Sequence, residues 1–301
     1  QAHFSLYEGY DHKHNGDGRK VRNKNMPAEY SDLSIDDFAS AIPDGAKLAI
    51  PADYAGVSMA ATRALIRRKA KNLHLVGVPT SGLQAELLIG ARCVATLESS
   101  ALTLGEYGPA PRFTKAVREG TIRLIDATCP AIHAGLQASQ KGIPFMPLRG
   151  ILGSDVLKHH PGWKVIQNPF SESEDPIVAI PAIQPDIALF HAPLADRDGN
   201  VWLGRKRELV NMSHASKAAF VTVDEIRETS LFETEEMAAG VLPALYVGKI
   251  CYAPNGSWPL PFWNGAKVDD AHIDEYMKMA ASDAGFKEYL ERYIFGESVM
   301  A

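Results

Sequence analysis

Cysteine is scarce in this sequence: Cys93, Cys129 and Cys251 are the only three among 301 residues. They are scattered, with no CxxC spacing and no paired framework, which argues against a disulfide scaffold or a thiolate metal site and fits a reducing compartment. Long apolar runs are also missing. No stretch approaches the roughly 18 apolar residues of a membrane span, and the opening QAHFSLYEGYDHKHNGDGRKVRNKN has no apolar centre of the secretory kind. A cytoplasmic location is therefore expected, with no membrane partner. There is no basic excess either. A formal charge of -5 does not suit a nucleic-acid binder, which needs a concentrated cationic face to displace counterions. Glycines form neither GxGxxG after a strand-like run nor GxxxxGK[ST], so dinucleotide and P-loop chemistry lack support.

What is present is a chain 46% apolar, long enough to bury a large core. Residues 1–30 are polar and aperiodic and are expected to be an irregular arm, leaving 31–301 as one α/β domain. Ser34 and Asp37 have capping-box spacing, and Ile35, Phe38, Ala39 and Ile42 make a helical stripe. Then AKLAI, VSMAATRALIRR, LHLVGV, RCVATL, FTKAVREG, TIRLID, PAIHAGLQASQKG and IPFMP alternate strand-like and helix-like patterns. That alternation predicts an open, mostly parallel sheet flanked by helices, with right-handed crossovers. From Gly150 to about Gly204 the runs shorten, and DIALFHAPLADRDGNVWLG reads as an antiparallel hairpin turning at DRDGN. Two amphipathic stripes, Ile273 to Ala280 and Phe286 to Tyr293, close the chain as helices covering the sheet.

Three segments in this order, GIPFMPLRGILGSD, HAPLADRDGNVWLG and CYAPNGSWPLPFW followed by FKEYLERYI, resemble the α-type subunits of class I CoA-transferases. The likeness is to the branch containing glutaconate CoA-transferase. The same branch is similar to hydrolases that open a steroid-derived ring as its CoA thioester, and to a decarboxylase of glutaconyl-type CoA esters. The resemblance implies a β-type partner carrying the nucleophilic glutamate, an α2β2 hetero-oligomer, and acyl-CoA and carboxylic acids as substrates. Coenzyme A is then a substrate, with no tightly bound cofactor. One scaffold hosting several reactions leaves transfer, hydrolysis or decarboxylation, and a non-catalytic structural role, as separate readings.

Candidate residues gather where strands should end. Arg149, after IPFMP, suits a substrate carboxylate because its planar fork donates two parallel hydrogen bonds; the bland alternative is an ion pair with Asp155. In the resembled hydrolases an arginine at this motif belongs to the active site. Gly150, Gly153, Ser154 and Asp155 form a small polar turn able to bring N–H groups to a thioester oxygen, or a plain loop. Cys129, expected at a helix N-terminus, is either a nucleophile, a pocket-lining residue or packing. The resembled hydrolases carry a catalytic glutamate there, so cysteine is a departure. Glu98, Ser99 and Ser100 end the strand RCVATL: the hydroxyls suit an acyl carbonyl, and Glu98 or Glu106 suits acid or base work if burial raises its pKa. Asp126 is read as a base or a helix cap, and His191 as a structural residue of the hairpin. His12 and His14, like His159 and His160, lack a third ligand in sequence reach, so no metal is expected.

Overall fold

The computed structural model describes residues 33–263 and 265–296; the arm expected over 1–30 lies outside them. Helix α1 (Ile35–Ser40) begins at the foreseen cap, the Ser34 hydroxyl accepting from the Asp37 N–H at 3.1 Å and donating to its carboxylate at 2.7 Å. Then come β1 (Lys47–Pro51), α2 (Met59–Arg67), β2 (Leu73–Val78), α3 (Leu83–Gly90), β3 (Val94–Ser99), α4 (Pro111–Arg118), β4 (Arg123–Asp126) and α5 (Cys129–Lys141). Strands β5 (Phe145–Leu148), β6 (Lys164–Gln167), β7 (Pro176–Pro181), β8 (Ile187–Asp196) and β9 (Val201–Trp202) precede α6 (Arg207–Ala215) and β10 (Ala218–Arg227). The rest is α7 (Glu235–Ala238), β11 (Val241–Leu242), β12 (Val247–Tyr252), α8 (Asp270–Ala280) and α9 (Asp283–Leu290).

Strands β1, β2, β3 and β4 pair in parallel in that order, and β8, β10 and β12 pair in parallel on the other side of β1. Progression along the chain thus runs one way from β1 and the opposite way from β8. Strand β8 touches β1 only through Leu48 with Ile187 and Ala49 with Ala188; farther along, the same edge takes the antiparallel β9 at Leu194 and Ala195. The hairpin foreseen at DRDGN is this β8–β9 pair. Its turn is organised by the buried Asp196, whose carboxylate accepts from Asp198, Asn200 and Leu231.

One expectation needs correcting. IPFMP does not extend the parallel sheet: β5 pairs with β7, and β7 with β6, in a separate antiparallel sheet of three strands. The physical reason lies in α5, which packs Ile132 and Leu136 on the large sheet and Ala131 and Ala134 on Val178 and Ile180 of the small one. A helix apolar on both sides can carry a second sheet on its back. His191 is structural as read, but its imidazole bonds to Thr222 at 2.9 Å and Asp224 at 3.1 Å rather than to hairpin backbone.

On the opposite face, α2, α3, α8 and α9 share the largest cluster, around Phe38, Leu65, Leu87 and Tyr276. Helix α3 is buried nearly all round, which places Glu86 in the core. Its carboxylate accepts from the N–H groups of Arg112 and Phe113, each at 2.7 Å, and from the Tyr276 hydroxyl at 2.9 Å. It thereby caps α4, whose own N-cap residue, Ala110, has no side chain for the task. Among the described residues no helix is long and apolar enough to cross a membrane. Replacing Glu86 with alanine strands three donors, two of them buried, and is expected to cost about 3 kcal/mol of unfolding free energy in denaturant titration; a cost within ~0.5 kcal/mol would contradict this capping role.

Candidate active site

In open parallel sheets, ligands bind beyond the carboxyl ends of strands where the direction of progression reverses. Here that point is the β1–β8 seam. Beyond it, Gly56 of the β1–α2 loop accepts a hydrogen bond from the His191 N–H at 2.7 Å, and a cavity of about 560 Å3 opens against Ala52, Val78 and Pro79.

One corner of this end of the sheet carries reactive groups. Helix α5 starts at Thr128, whose hydroxyl caps the Ala131 N–H at 3.3 Å; Asp126, read as a possible cap, ends β4 instead. Cys129 is the first helical residue and is exposed. Its sulfur lies 3.2 Å from the Ser100 hydroxyl. Ser100 already donates to the Pro79 carbonyl at 2.7 Å, so its oxygen receives the remaining bond and Cys129 donates as a thiol. Ser99 is buried, its hydroxyl donating to the Ala101 carbonyl at 2.8 Å and accepting from Ser81 at 3.2 Å. Gly77 makes room for this pair, since a Cβ there would collide with both hydroxyl oxygens.

The other candidates are drawn in different directions. Glu98 shares the sheet face of Ala49 and Val76, which pack beside α5. There it meets Lys47 at 3.1 Å and His74 at 3.0 Å. Burial pushes its carboxyl up, but the hydrogen bond from His74 and the Lys47 charge more than offset this and hold it below the usual glutamate value. An ionised counter-ion replaces the raised-pKa acid expected from sequence. Arg149 leaves β5 in the small sheet, not in the parallel one, and its fork is occupied by both oxygens of Asp175, one at 2.8 Å. This pair, not one with Asp155, holds the Asp175 carboxyl down to about 2, with Asn168 assisting. Asp155 meets Lys158 at 2.6 Å. Gly153 takes φ +77, and the Ser154 hydroxyl turns back to the Ile151 carbonyl at 2.8 Å. Even so, the turn lies near Cys129: Ile151 packs with Ala131 on the first turn of α5, and His160 hydrogen-bonds the Asp126 carbonyl.

Two groups escaped the sequence reading. Asp53, at the end of β1, accepts from the Leu83 N–H with both oxygens, at 3.0 and 3.1 Å. It thereby holds the loop Thr80–Ser81–Gly82, and Gly82 must lack a side chain because a Cβ would strike the Asp53 carboxylate. Burial raises its carboxyl to about 6, the Leu83 bond pulling the other way; the residue as a whole keeps some exposure, yet its carboxyl is deeply set and the direction follows from that. His133, one turn after Cys129, lines the seam cavity, and burial lowers its pKa despite Glu208 nearby. An i, i+4 spacing from Cys129 was the available signal.

Comparison with known proteins follows the same lines. The coenzyme A transferase family matches residues 33–252. The A-type subunit of the 3-oxoadipate CoA-transferase of Pseudomonas knackmussii is 32% identical over 85% of this chain and 90% of its own. The cholesterol ring-cleaving hydrolase IpdA subunit of Rhodococcus jostii is 26% identical over 88% of this chain and 92% of its own. The glutaconate coenzyme A-transferase of Acidaminococcus fermentans superposes with a TM-score of 0.78 at 21% identity, covering 88% of each chain. An uncharacterised Archaeoglobus fulgidus relative is longer, this chain spanning 61% of it. The chain belongs to the coenzyme A transferase family, and its CoA-transferase relatives are A subunits.

Asp53 yields a pH test. Its folded-state pKa of about 6 exceeds the unfolded value of about 3.9, so its contribution to stability is greatest below pH 4 and is lost as pH rises through 6. Asp53→Asn keeps an oxygen for Leu83 and removes the charge. The variant is expected to gain melting temperature relative to the wild type progressively between pH 4 and 7; parallel pH curves would contradict the burial of this carboxylate.

Proposed function

We propose that this chain is the α-type subunit of an acyl-CoA enzyme that transfers CoA between carboxylic acids, with the nucleophilic glutamate supplied by a β-type partner in an α2β2 assembly. The observation that carries this reading is the state of Glu98. In a coenzyme A transferase chain matched over residues 33–252, the glutamate beside the reactive corner is tied to Lys47 and His74 and is not free to attack. The partner's carboxylate attacks the thioester carbonyl, and the CoA thiolate leaves as a mixed anhydride forms. The thiolate then attacks the enzyme's own acyl carbon, releasing the donor acid and leaving CoA as a thioester on the partner. An acceptor carboxylate reverses both steps.

Each step places negative charge on a carbonyl oxygen, and this chain supplies the polar surroundings for it. The amino end of α5, the positive end of its helix dipole, faces the developing oxyanion, and Ser100, held between the Pro79 carbonyl and Cys129, fixes the wall beside it. The turn Gly150, Gly153, Ser154, Asp155 borders that corner, and Ser99 fixes the neighbouring loop. Arg149, clamped by Asp175, holds the small sheet in register beside it. CoA is bound as a substrate.

A second reading is hydrolysis, as named for the Rhodococcus relative; it would draw on Asp126, an exposed carboxylate three residues before Cys129. The test is to co-purify the chain with its partner and follow CoA esters by mass spectrometry across an acyl-CoA panel, with and without acetate. New CoA esters that require acetate establish transfer. Free CoA, carbon dioxide or a ring-opened ester formed without an acceptor overturns it in favour of hydrolysis or decarboxylation. In the same assay Cys129→Ser, which preserves the donor to Ser100, is expected to retain turnover within about threefold; a loss of about a hundredfold or more would make the thiol a nucleophile.

A further inference from the structure

On the α3 and α8 side of the sheet, a second cavity of about 410 Å3 opens beyond the ends of β1, β2 and β3. That volume lies within the ~300–1,000 Å3 of small-molecule sites, and no step above uses it. Its apolar walls are Leu83, Leu104, Leu260, Pro261, Val268 and Ile273, contributed by two loops and by the first turns of α3 and α8. The polar side chains beside them are spent inside the fold. Both Asp53 oxygens accept from the Leu83 N–H, the Ser81 hydroxyl donates to Ser99 at 3.2 Å, the Thr103 hydroxyl accepts from the Gly105 N–H at 3.0 Å, and the Tyr107 hydroxyl donates to Asp270. What remains to meet an occupant is mostly hydrocarbon.

The charge around this space is of one sign. Asp53, Glu106 and Asp270 line it, and among the described lining residues there is no lysine, arginine or histidine. Lys206, which touches Tyr54 at the rim, is held on the Tyr54 carbonyl at 2.9 Å and lies outside the lining. The Asp53 carboxyl registers the same surroundings, raised to about 6 by burial with only a backbone N–H to oppose it. A carboxylate entering here would shed its water and meet like charge, with no cation to offset either cost. A hydrocarbon chain meets neither.

The cavity also shares a loop with the reactive corner. Thr80 and Ser81 line it, while the carbonyl of the preceding Pro79 takes the Ser100 hydroxyl at 2.7 Å, and Ser100 in turn touches Cys129. A thioester at the amino end of α5 thus has this space across one short loop. We propose that the cavity is the seat of the acyl group, and that it takes an uncharged hydrocarbon chain and rejects one ending in a second carboxylate. The inference rests on the CoA-transfer reading and names its substrate class. It sets this chain apart from the 3-oxoadipate and glutaconate relatives, which are named for dicarboxylic acids.

Two measurements on the co-purified complex test it. In calorimetric titration with unreactive CoA thioethers, S-hexyl-CoA is expected to bind at least about tenfold more tightly than S-ethyl-CoA, each buried methylene being worth roughly fourfold. It is also expected to bind at least about tenfold more tightly than its counterpart ending in a carboxylate. Val268→Trp, which fills the space, should bring the first ratio to within about threefold. Glu106→Lys, a change at an exposed position, should shrink the second by at least about threefold. In the transfer assay, the ratio of kcat/KM for hexanoyl-CoA over adipyl-CoA should fall in both variants. Equal binding of S-hexyl-CoA and S-ethyl-CoA, as when a partner side chain fills the cavity, overturns the seat. So does a chain-length preference that survives Val268→Trp, or a carboxylate-ended chain bound as tightly as the alkyl one. Absence of CoA transfer from every acyl-CoA overturns the functional reading instead, and the thioether titration still decides the cavity. Circular dichroism checks both folds, and Glu106→Lys carries the test should Val268→Trp fail to fold.

Discussion

Everything at the carboxyl end of this sheet depends on where β1 and β8 stop pairing. Two residues on each strand are matched, Leu48 and Ala49 with Ile187 and Ala188, and then the strands part. Backbone groups exposed by that parting cannot stay unpaired in the interior. Gly56 from the β1–α2 loop takes the His191 N–H, and β9 takes the β8 edge at Leu194 and Ala195. The glycine at this contact leaves no choice, since a Cβ would strike the His191 carbonyl and the Trp263 ring. The gap that remains is the cavity under α5 and α6, and the same reversal of direction brings the ends of β2 and β3 to its border.

Across the fold, three carboxylates have been given different states by their surroundings. Glu98 is ionised because His74 and Lys47 outweigh its burial. Glu86 is pushed up by burial against three donors and serves as a cap. Asp53 is pushed up to about 6 with only a backbone N–H to oppose the change. None of the three stands free to attack a thioester. What the chain presents at the corner of β3 and α5 is a hydroxyl, a thiol and the positive end of a thirteen-residue helix. The hydroxyl and thiol are spent on Pro79 and on each other, so the helix end is what stabilises charge, as the proposed shared site requires of this chain.

Much of this architecture was legible in the residues. Period-two and period-3.6 patterns located β1 to β4, the helices between them and the cap at Ser34, because each element buries its own stripe locally. The small sheet was not legible, since IPFMP has the same apolar pattern whether it extends a parallel sheet or starts another; the deciding factor is α5 being apolar on two sides. For the site, sequence found the loops but not the pairings. Arg149 and Asp175 stand 26 residues apart, and Glu98 meets Lys47 from two strands away, contacts that only the sheet register creates. Asp53 and Glu86 gave no signal, because a buried carboxylate and a solvated one look the same in a string of letters.

The central claim is that the covalent chemistry occurs on a partner carboxylate and not on this chain. Intact-mass spectrometry of both chains, after brief incubation of the complex with acyl-CoA and no acceptor acid, addresses it directly. The expected result is a CoA adduct on the β-type partner, removed by added acetate, with this chain unmodified. An acyl or CoA adduct on this chain, mapped to Cys129 or Glu98, would contradict it.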